Sequence, residues 1–301
     1  MKAKNMRHSQ LKAFHYVALT GGFSRAAEAL YLTQPAISEQ VRKLEQDYDV
    51  LLFHRERKMV SLTSEGDRLF RYTKQYFEIE QQIEEYMSAT SATVDGELRI
   101  IADSAHHITF FLGKFRNRYP NITVTLRTGN TEDILEELRG YNADIGIAGS
   151  MAPGRDMEIM NLGSSQIMAF AAHDFLPPSK TALTLKELTK YPLIFRETGS
   201  KTRQQLEEVA KKQGLSLTPA IVAEGREAVR EVVASGAGIG FVSEAEFGND
   251  DRFTKIHLQG VDIQMSEVML HMAQRRDVKV IRTFVDFARV AQEEKETRAT
   301  H

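Results

Sequence analysis

Phe23–Glu45 reads FSRAAEALYLTQPAISEQVRKLE, and the chain is organised around this stretch. Phe23, Ala26, Ala27 and Leu30 recur at three- and four-residue spacing, the mark of one buried helical face. Ser24 is placed to cap that helix, and Glu28 sits early in it, where the positive end of the helix dipole favours a carboxylate. Tyr31 and Leu32 end it. Thr33 then offers a second N-cap, with Pro35 in the first turn, where a missing N–H costs little. Ile37, Val41 and Leu44 form the inner stripe of the second helix. Thr33, Gln34, Pro35, Ala36, Ser38, Glu39, Arg42 and Lys43 lie off that stripe. Short polar groups at a helix start, with cations further along, suit docking into the major groove of DNA. Gln34 has the chemistry to read an adenine edge, Ala36 to meet a thymine methyl, and Arg42 to hold a phosphate or a guanine. The plainer alternative is a helical hairpin with a solvated polar face, and the flanking sequence decides between them.

Residues 7–66 strongly resemble the N-terminal domain of LysR-type transcriptional regulators. The match runs through Leu11-Lys12-Ala13-Phe14, Gly22-Phe23-Ser24-Arg25-Ala26-Ala27 and Leu32-Thr33-Gln34-Pro35-Ala36-Ile37-Ser38. It continues through Val41-Arg42-Lys43-Leu44-Glu45, Leu52-Phe53-His54-Arg55 and Leu62-Thr63-Ser64-Glu65-Gly66. One departure is Asp49, where the family usually carries glycine after the second helix; Asp tolerates the left-handed conformation better than most residues.

The chain has 301 residues, 42% of them hydrophobic and 27% charged, which suits a globular protein of two or three domains. No run of eighteen apolar residues is present, so no membrane partner is expected. Lys2, Lys4 and Arg7 are followed by no apolar segment, so no secretory signal is read, and a cytoplasmic location is expected. There is no cysteine, which excludes the thiol switch of the peroxide-sensing relatives. Residues 1–62 hold ten Lys and Arg against six Asp and Glu, a net of +4; with the chain at −2, the remainder carries −6. A basic segment on an acidic body is expected when only one domain meets a phosphate backbone.

Residues 7–20 read as the first helix, with His8 and His15 in surface or packing roles. Residues 51–53 and 60–62 read as two short strands around a basic tip, His54-Arg55-Glu56-Arg57-Lys58. Arg55, Arg57 and Lys58 are therefore expected to touch DNA beside the helix. Thr63-Ser64-Glu65-Gly66 caps a long helix reaching about residue 92. Within it Leu69, Tyr72, Tyr76, Ile79, Ile83 and Tyr86 are spaced 3, 4, 3, 4, 3, a coiled-coil seam expected to pair two copies. Phe70 and Phe77 make a second apolar strip. Residues 88–96, SATSATVDG, read as a hinge.

Beyond it strands and helices alternate, which predicts a parallel sheet with helices on both faces. The expected fold class is α/β: a winged helix-turn-helix over 1–65, a linker helix over 66–92, and a two-lobed effector domain over 93–301. Lobe I is placed at about 96–165 and 266–292, lobe II at about 166–265. Here the resemblance to the family is weaker, resting on Gly96-Glu97-Leu98-Arg99-Ile100, Asp144-Ile145-Gly146-Ile147 and Gly236-Ala237-Gly238-Ile239-Gly240. It implies a periplasmic-binding-protein-like domain, and a homodimer or homotetramer that acts with RNA polymerase.

Three loops are expected to line the cleft. The first, Asp103-Ser104-Ala105-His106, opens a helix whose free N–H groups would bind an anion. Thr128-Gly129-Asn130-Thr131 is a second such junction. The third, Arg196-Glu197-Thr198-Gly199-Ser200-Lys201-Thr202-Arg203, sets three cations and three hydroxyls about a glycine. In the family the matching loop takes effectors. The expected ligand is a small anion or zwitterion, with Glu197, Asp103 or Glu224 for an amine. The opening Met6-Arg7-His8-Ser9-Gln10-Leu11 and the basic third loop resemble regulators of 2-aminoethylphosphonate catabolism. His106-His107 lacks further ligands at metal-binding spacing, so no metal and no cofactor is expected. No nucleophile elbow or phosphate loop marks an enzyme, and a solute-binding transport component is the rival from another class.

Overall fold

The computed structural model describes residues 6–56, 59–87, 94–149 and 154–299, and divides into two compact units at residues 90 and 91. In the first unit, α1 (His8–Thr20), α2 (Phe23–Ala29) and α3 (Gln34–Tyr48) precede the hairpin β1 (Phe53–Glu56) and β2 (Met59–Leu62) and the long α4 (Ser64–Met87). Phe14, Val17, Ala26, Ile37, Val41, Leu44 and Leu52 form its core. Two details differ from expectation. Gly22, not Ser24, is the N-cap of α2, so Ser24 lies in its first turn. Strand β1 pairs Phe53 with Leu62 and Glu56 with Met59, so His54 and Arg55 belong to the strand rather than to the tip. Helix α4 is described only to Met87, and most of the expected hinge (residues 88–93) falls outside the described residues.

Asp49 has φ 54° and ψ 51°, the left-handed geometry required where α3 stops. Glu45 then turns back, its carboxylate accepting the Leu52 N–H at 2.9 Å, which fixes where β1 starts. Thr63 caps α4, its hydroxyl accepting the Gly66 N–H at 3.0 Å.

In the second unit, β3 (Gly96–Ala102), α5 (His106–Arg118), β4 (Ile122–Thr128), α6 (Thr131–Arg139) and β5 (Ile145–Gly149) form a parallel β-α-β-α-β run. The 16-residue β6 (Met157–Ala172) follows, then β7 (Ala182–Thr184), α7 (Leu185–Leu188), β8 (Leu193–Arg196) and α8 (Lys201–Lys212). Next come β9 (Pro219–Ala223), α9 (Gly225–Ala234), β10 (Gly240–Ser243), α10 (Glu244–Phe247), β11 (Phe253–Gln259), β12 (Gln264–Met272) and α11 (Lys279–Ala299).

The sheet is mixed, not wholly parallel. Its order is β4-β3-β5-β12-β6-β11-β7, with β10 also on β6, and β12 runs antiparallel to both β5 and β6. The two lobes share β6: its first half pairs with β12, its second with β10 and β11. Alternation along β6 sends Ile167, Ala169 and Ala171 to one lobe II core and Met168 and Phe170 to the other. Lobe I is likewise double-faced, with Ile100, Phe111, Phe115 and Phe284 on one side and Ile134, Leu138 and Leu270 on the other. Each such buried side chain contributes roughly 1.5–3 kcal/mol.

An ionic knot fixes β5 at its start. Asp144 accepts from the Arg99 backbone N–H at 2.7 Å, from its guanidinium at 2.7 and 3.1 Å, and from buried Arg275 at 2.6 Å. Burial works to raise the Asp144 pKa, but the two arginines outweigh it and hold the carboxyl below its ordinary value.

Candidate functional site

In the first unit Ile37, Val41 and Leu44 turn α3 inward, leaving Thr33, Gln34, Pro35, Ala36, Arg42 and Lys43 exposed and Ser38 and Glu39 half-buried. Thr33 is the N-cap of α3 but makes no side-chain capping bond. The polar face is self-paired. The Gln34 amide donates to the Ser38 hydroxyl at 2.8 Å, and Arg42 grips Glu39 through bonds of 2.8 and 2.7 Å while donating to Gln46. Lys43 lies 3.3 Å from the same Glu39. The hydrogen bond from Arg42 is the main reason the Glu39 pKa falls to about 2. A cation of this helix can therefore reach an external phosphate by exchanging one carboxylate for another anion. Ser24 is exposed. Arg57 and Lys58 lie outside the described residues, as does the side chain of Arg55.

On α4, Tyr72, Tyr76, Ile79, Ile83 and Tyr86 are exposed. Leu69, read with them as a pairing residue, is half-buried against the core of its own unit, as is Phe70. Phe77 packs on His15 and His8, and the buried His15 Nδ1 lies 3.0 Å from the Thr73 hydroxyl. Burial, then the charge of Lys74, lowers the His15 pKa to about 4.

In the second unit the three loops meet between the lobes, in different roles. At the first, Asp103 and Ser104 are buried, and Asp103 accepts the Gly149 N–H at 2.9 Å. Ala105 is the N-cap of α5, and the His106 N–H is taken by the Ser104 hydroxyl. Burial first, and then the charge of Glu246, pushes the Asp103 carboxyl above its ordinary pKa. A buried acid thus accompanies the helix start that was expected to hold an anion.

At the second loop two helix-start donors are already engaged. Asn130 accepts from the Glu132 and Asp133 N–H groups at 2.9 and 3.1 Å, and Asp133 accepts from the Asn130 N–H. This is a reciprocal capping box. Thr128 is exposed and Thr131 buried.

The third loop keeps its cations. Arg196 lies 2.8 Å from Glu197, whose other oxygen accepts the Gly225 N–H at 2.9 Å. Ser200, 1% exposed, is the N-cap of α8 and its hydroxyl has no hydrogen-bond partner. Thr202 is buried against Met265, whereas Lys201 reaches out to Gln204. Glu224, a candidate for an amine, is exposed.

Sequence reasoning did not reach Arg226, which clamps the lobes: it donates to the Ser104 hydroxyl at 3.1 Å and to the Glu246 carbonyl. It also missed His107, whose Nε2 sits 3.3 Å from Glu246 and 3.4 Å from Glu267. Glu267 carried a usable signal, being one acid inside the apolar strand QMSEVMLHM. Phe170, Arg196, Thr202, Arg226, Arg230 and Glu246 enclose only about 10 Å³, room for about one water. These residues all belong to lobe II, so this space is internal to that lobe and too small for an organic ligand.

Comparison with known proteins fits this architecture. Residues 8–67 match the bacterial regulatory helix-turn-helix protein, lysR family, and residues 91–292 match the LysR substrate binding domain. The HTH-type transcriptional activator CmpR of Synechocystis sp. is 27% identical over 94% of this chain and 95% of that protein. The RuBisCO operon transcriptional regulator of Allochromatium vinosum is 30% identical over 78% of each. Among solved structures, full-length OxyR of Pseudomonas aeruginosa (TM-score 0.76) and CbnR complexed with its target DNA (0.66) share the fold at 20% identity over 95% of this chain. They cover 95% and 100% of those chains respectively. Among the described residues no helix is long and apolar enough to cross a membrane. The protein is not an enzyme but a ligand-responsive DNA-binding transcriptional regulator, and it belongs to the LysR family.

Proposed function

We propose that this regulator senses a small anionic or zwitterionic metabolite held between its lobes, with 2-aminoethylphosphonate the compound that matches both charge types. The carrying observation is a set of buried polar atoms without hydrogen-bond partners about one cleft: Asp103 Oδ1, Thr131 Oγ1, Ser200 Oγ and Arg226 Nε. Such atoms are costly unless a ligand or solvent meets them. The anionic group docks at the start of α8, on Ser200 and Thr202, with Arg196 and Arg226 as counter-ions. An amine on the same ligand meets Asp103 and Glu246.

Effector binding replaces the Arg226 clamp and so changes the spacing of the lobes. That acts on DNA binding only because the effector has different affinities for the two arrangements. The exposed α4 face, Tyr72 to Tyr86, pairs two copies, so that two α3 helices address a pseudo-palindromic site as a dimer or as a tetramer built from dimers. Gln34, Ala36, Ser38 and Arg42 make the base and phosphate contacts, with Arg55, Arg57 and Lys58 beside them; RNA polymerase is the partner at the promoter, in the cytoplasm. The solved complex of CbnR with its target DNA supports the DNA assignment.

Thermal shift of the full chain with 2-aminoethylphosphonate, methylphosphonate and small carboxylates tests the site. Stabilisation by one of these anions, lost in Arg196→Met and Arg226→Met, is expected. If none of them stabilises the chain, the site is misassigned. If carboxylates act and phosphonates do not, the phosphonate identity falls and the anion site stands.

A further inference from the structure

A second cavity, of about 410 Å³, lies beside α5 and has no lining residue in common with the small space at Arg226. Its walls include His107, Phe110, Phe111, Leu162, Gly163 and Glu267. The volume is far above the 10–15 Å³ that one water needs. No Lys or Arg is among its lining residues, so the charged groups at its wall are one carboxylate and the two imidazoles of His106 and His107.

The alternation of β12 places Glu267 on the same face as Met269, which packs with Phe111 and Leu162. Glu267 stands opposite Gly149 on β5 and Gly163 on β6, and the register shift beside it leaves Leu162 as the extra residue on β6. Gly163 has φ +142°, and a Cβ there would meet nothing within 4 Å, so the strand opposite leaves the wall open. The Glu267 side chain is only 3% exposed, yet neither carboxylate oxygen has a hydrogen-bond partner.

The surrounding charges explain why it lacks one. His107 sits between Glu267 and Glu246 and serves Glu246. Burial raises the Glu246 pKa, but the His107 bond and charge, the Ser104 hydroxyl and Arg226 outweigh this and hold it down. For Glu267 burial is the main cause, the like charges of Asp103 and Glu246 add to it and Arg196 opposes it, so its carboxyl is held far above the ordinary range. Among the described residues no cation is hydrogen-bonded to it.

We propose that this cavity binds a small organic ammonium ion, with Glu267 as its counter-ion and the Phe110 and Phe111 rings beside its hydrocarbon body. An organic anion is disfavoured because Glu267 is the one carboxylate at the wall and no Lys or Arg among the lining residues opposes it. Among the described residues no group of three or more His, Asp or Glu is arranged to hold a metal ion; the Phe110 ring already carries the Lys114 ammonium at 4.6 Å from its centroid, so the rings serve the hydrocarbon part of the ligand. The site is separate from the anion cleft. An ammonium bound here would neutralise the acidic cluster between the lobes and so add a second input to the same switch.

Binding carries a proton signature. Burial and its acidic neighbours favour the protonated form of Glu267, which must ionise to meet the cation and so releases a proton. Affinity rises with pH until the ammonium ion itself deprotonates, at about pH 10 for an alkylamine. Titration calorimetry of the full chain with benzylammonium, benzyl alcohol and benzoate, in two buffers of different ionisation enthalpy, tests this. Benzylammonium should bind at least about tenfold tighter than the other two, releasing up to about one proton, and Glu267→Gln should cost about tenfold and abolish the release. Thr109→Trp, at the cavity rim, should block binding while leaving Glu267 in place. Equal binding of the three probes, no binding at millimolar concentration, or undiminished binding to Glu267→Gln or Thr109→Trp overturns the proposal. None of these outcomes bears on the phosphonate and carboxylate test of the cleft.

Discussion

Replacing Gly199 with alanine probes a place where the two lobes touch. Gly199 has φ +94°, so any side chain there costs about 1–3 kcal/mol in backbone strain, whatever the lobes do. The added Cβ would also lie 2.9, 3.1 and 3.2 Å from the Oδ1, Cγ and Nδ2 atoms of Asn130 on the opposite lobe. Asn130 is not free to swing away, because it caps α6 through the Glu132 and Asp133 N–H groups. Either the cap breaks, at about 1 kcal/mol, or the lobes separate. Gly199→Ala should therefore destabilise the second unit by about 2–4 kcal/mol, a fall of roughly 5–15 °C in Tm at about 2–4 °C per kcal/mol. A double-mutant cycle with Asn130→Ala separates the two costs. In the Asn130→Ala background the alanine should cost about 1 kcal/mol less. Calorimetry that finds the two substitutions additive within about 0.3–0.5 kcal/mol would show that the loops do not press on each other.

Glu39→Gln should free Arg42 and Lys43 on the exposed face of α3, tightening DNA binding at low salt and steepening its salt dependence by about one phosphate contact; a fluorescence anisotropy salt series measures both. Asp144→Ala removes the carboxylate that both Arg99 and the buried Arg275 hold. It should cost about 3–5 kcal/mol in the second unit, seen as a lowered calorimetric transition while the first unit melts unchanged. The folded pKa of His15, about 4, lies below its unfolded value of about 6.5, so His15 is neutral in the fold. Its contribution is complete above pH 6.5 and is lost as pH falls towards 4, at most about 3 kcal/mol. Hydrogen exchange in α1 and α4, corrected for intrinsic rates, should show this loss in the wild type and a flatter profile in His15→Gln.

The first unit was legible because its signals are local. Phe23, Ala26 and Ala27 at helical spacing, Thr33 with Pro35, and Asp49 as a left-handed stop each act within a few residues. What was misread there depends on alternatives that local rules leave open, such as Gly22 serving as N-cap instead of Ser24. The second unit was legible where strand and helix alternate, and α5 occupies residues 106–118 as periodicity implies. Strand β6 was not legible, because its NLGSSQ middle is polar and glycine-containing while its final residues are buried on both faces. The antiparallel β12 was missed too, and with it Glu267. In the cleft, helix starts could be located, but not which of their donors were already consumed. Asn130 with Asp133 engages donors at one such start, and the buried Asp103 accompanies another. Arg226 and Glu246 meet Ser104 and His107 only through the shared strand β6, a long-range arrangement with no local trace.

The account rests on α3 reading DNA, and the most direct measurement is the affinity of the full chain for the upstream region of its own gene and for random DNA of equal length. It is made at physiological salt on the wild type and on Gln34→Ala. The wild type should prefer its own site by at least about a thousandfold. Gln34→Ala should lose roughly 1–3 kcal/mol on that site and nothing on random DNA, since it removes a base contact and no phosphate contact. Equal affinity of wild type for both DNAs, or an unchanged affinity of Gln34→Ala for the specific site, would contradict the assignment.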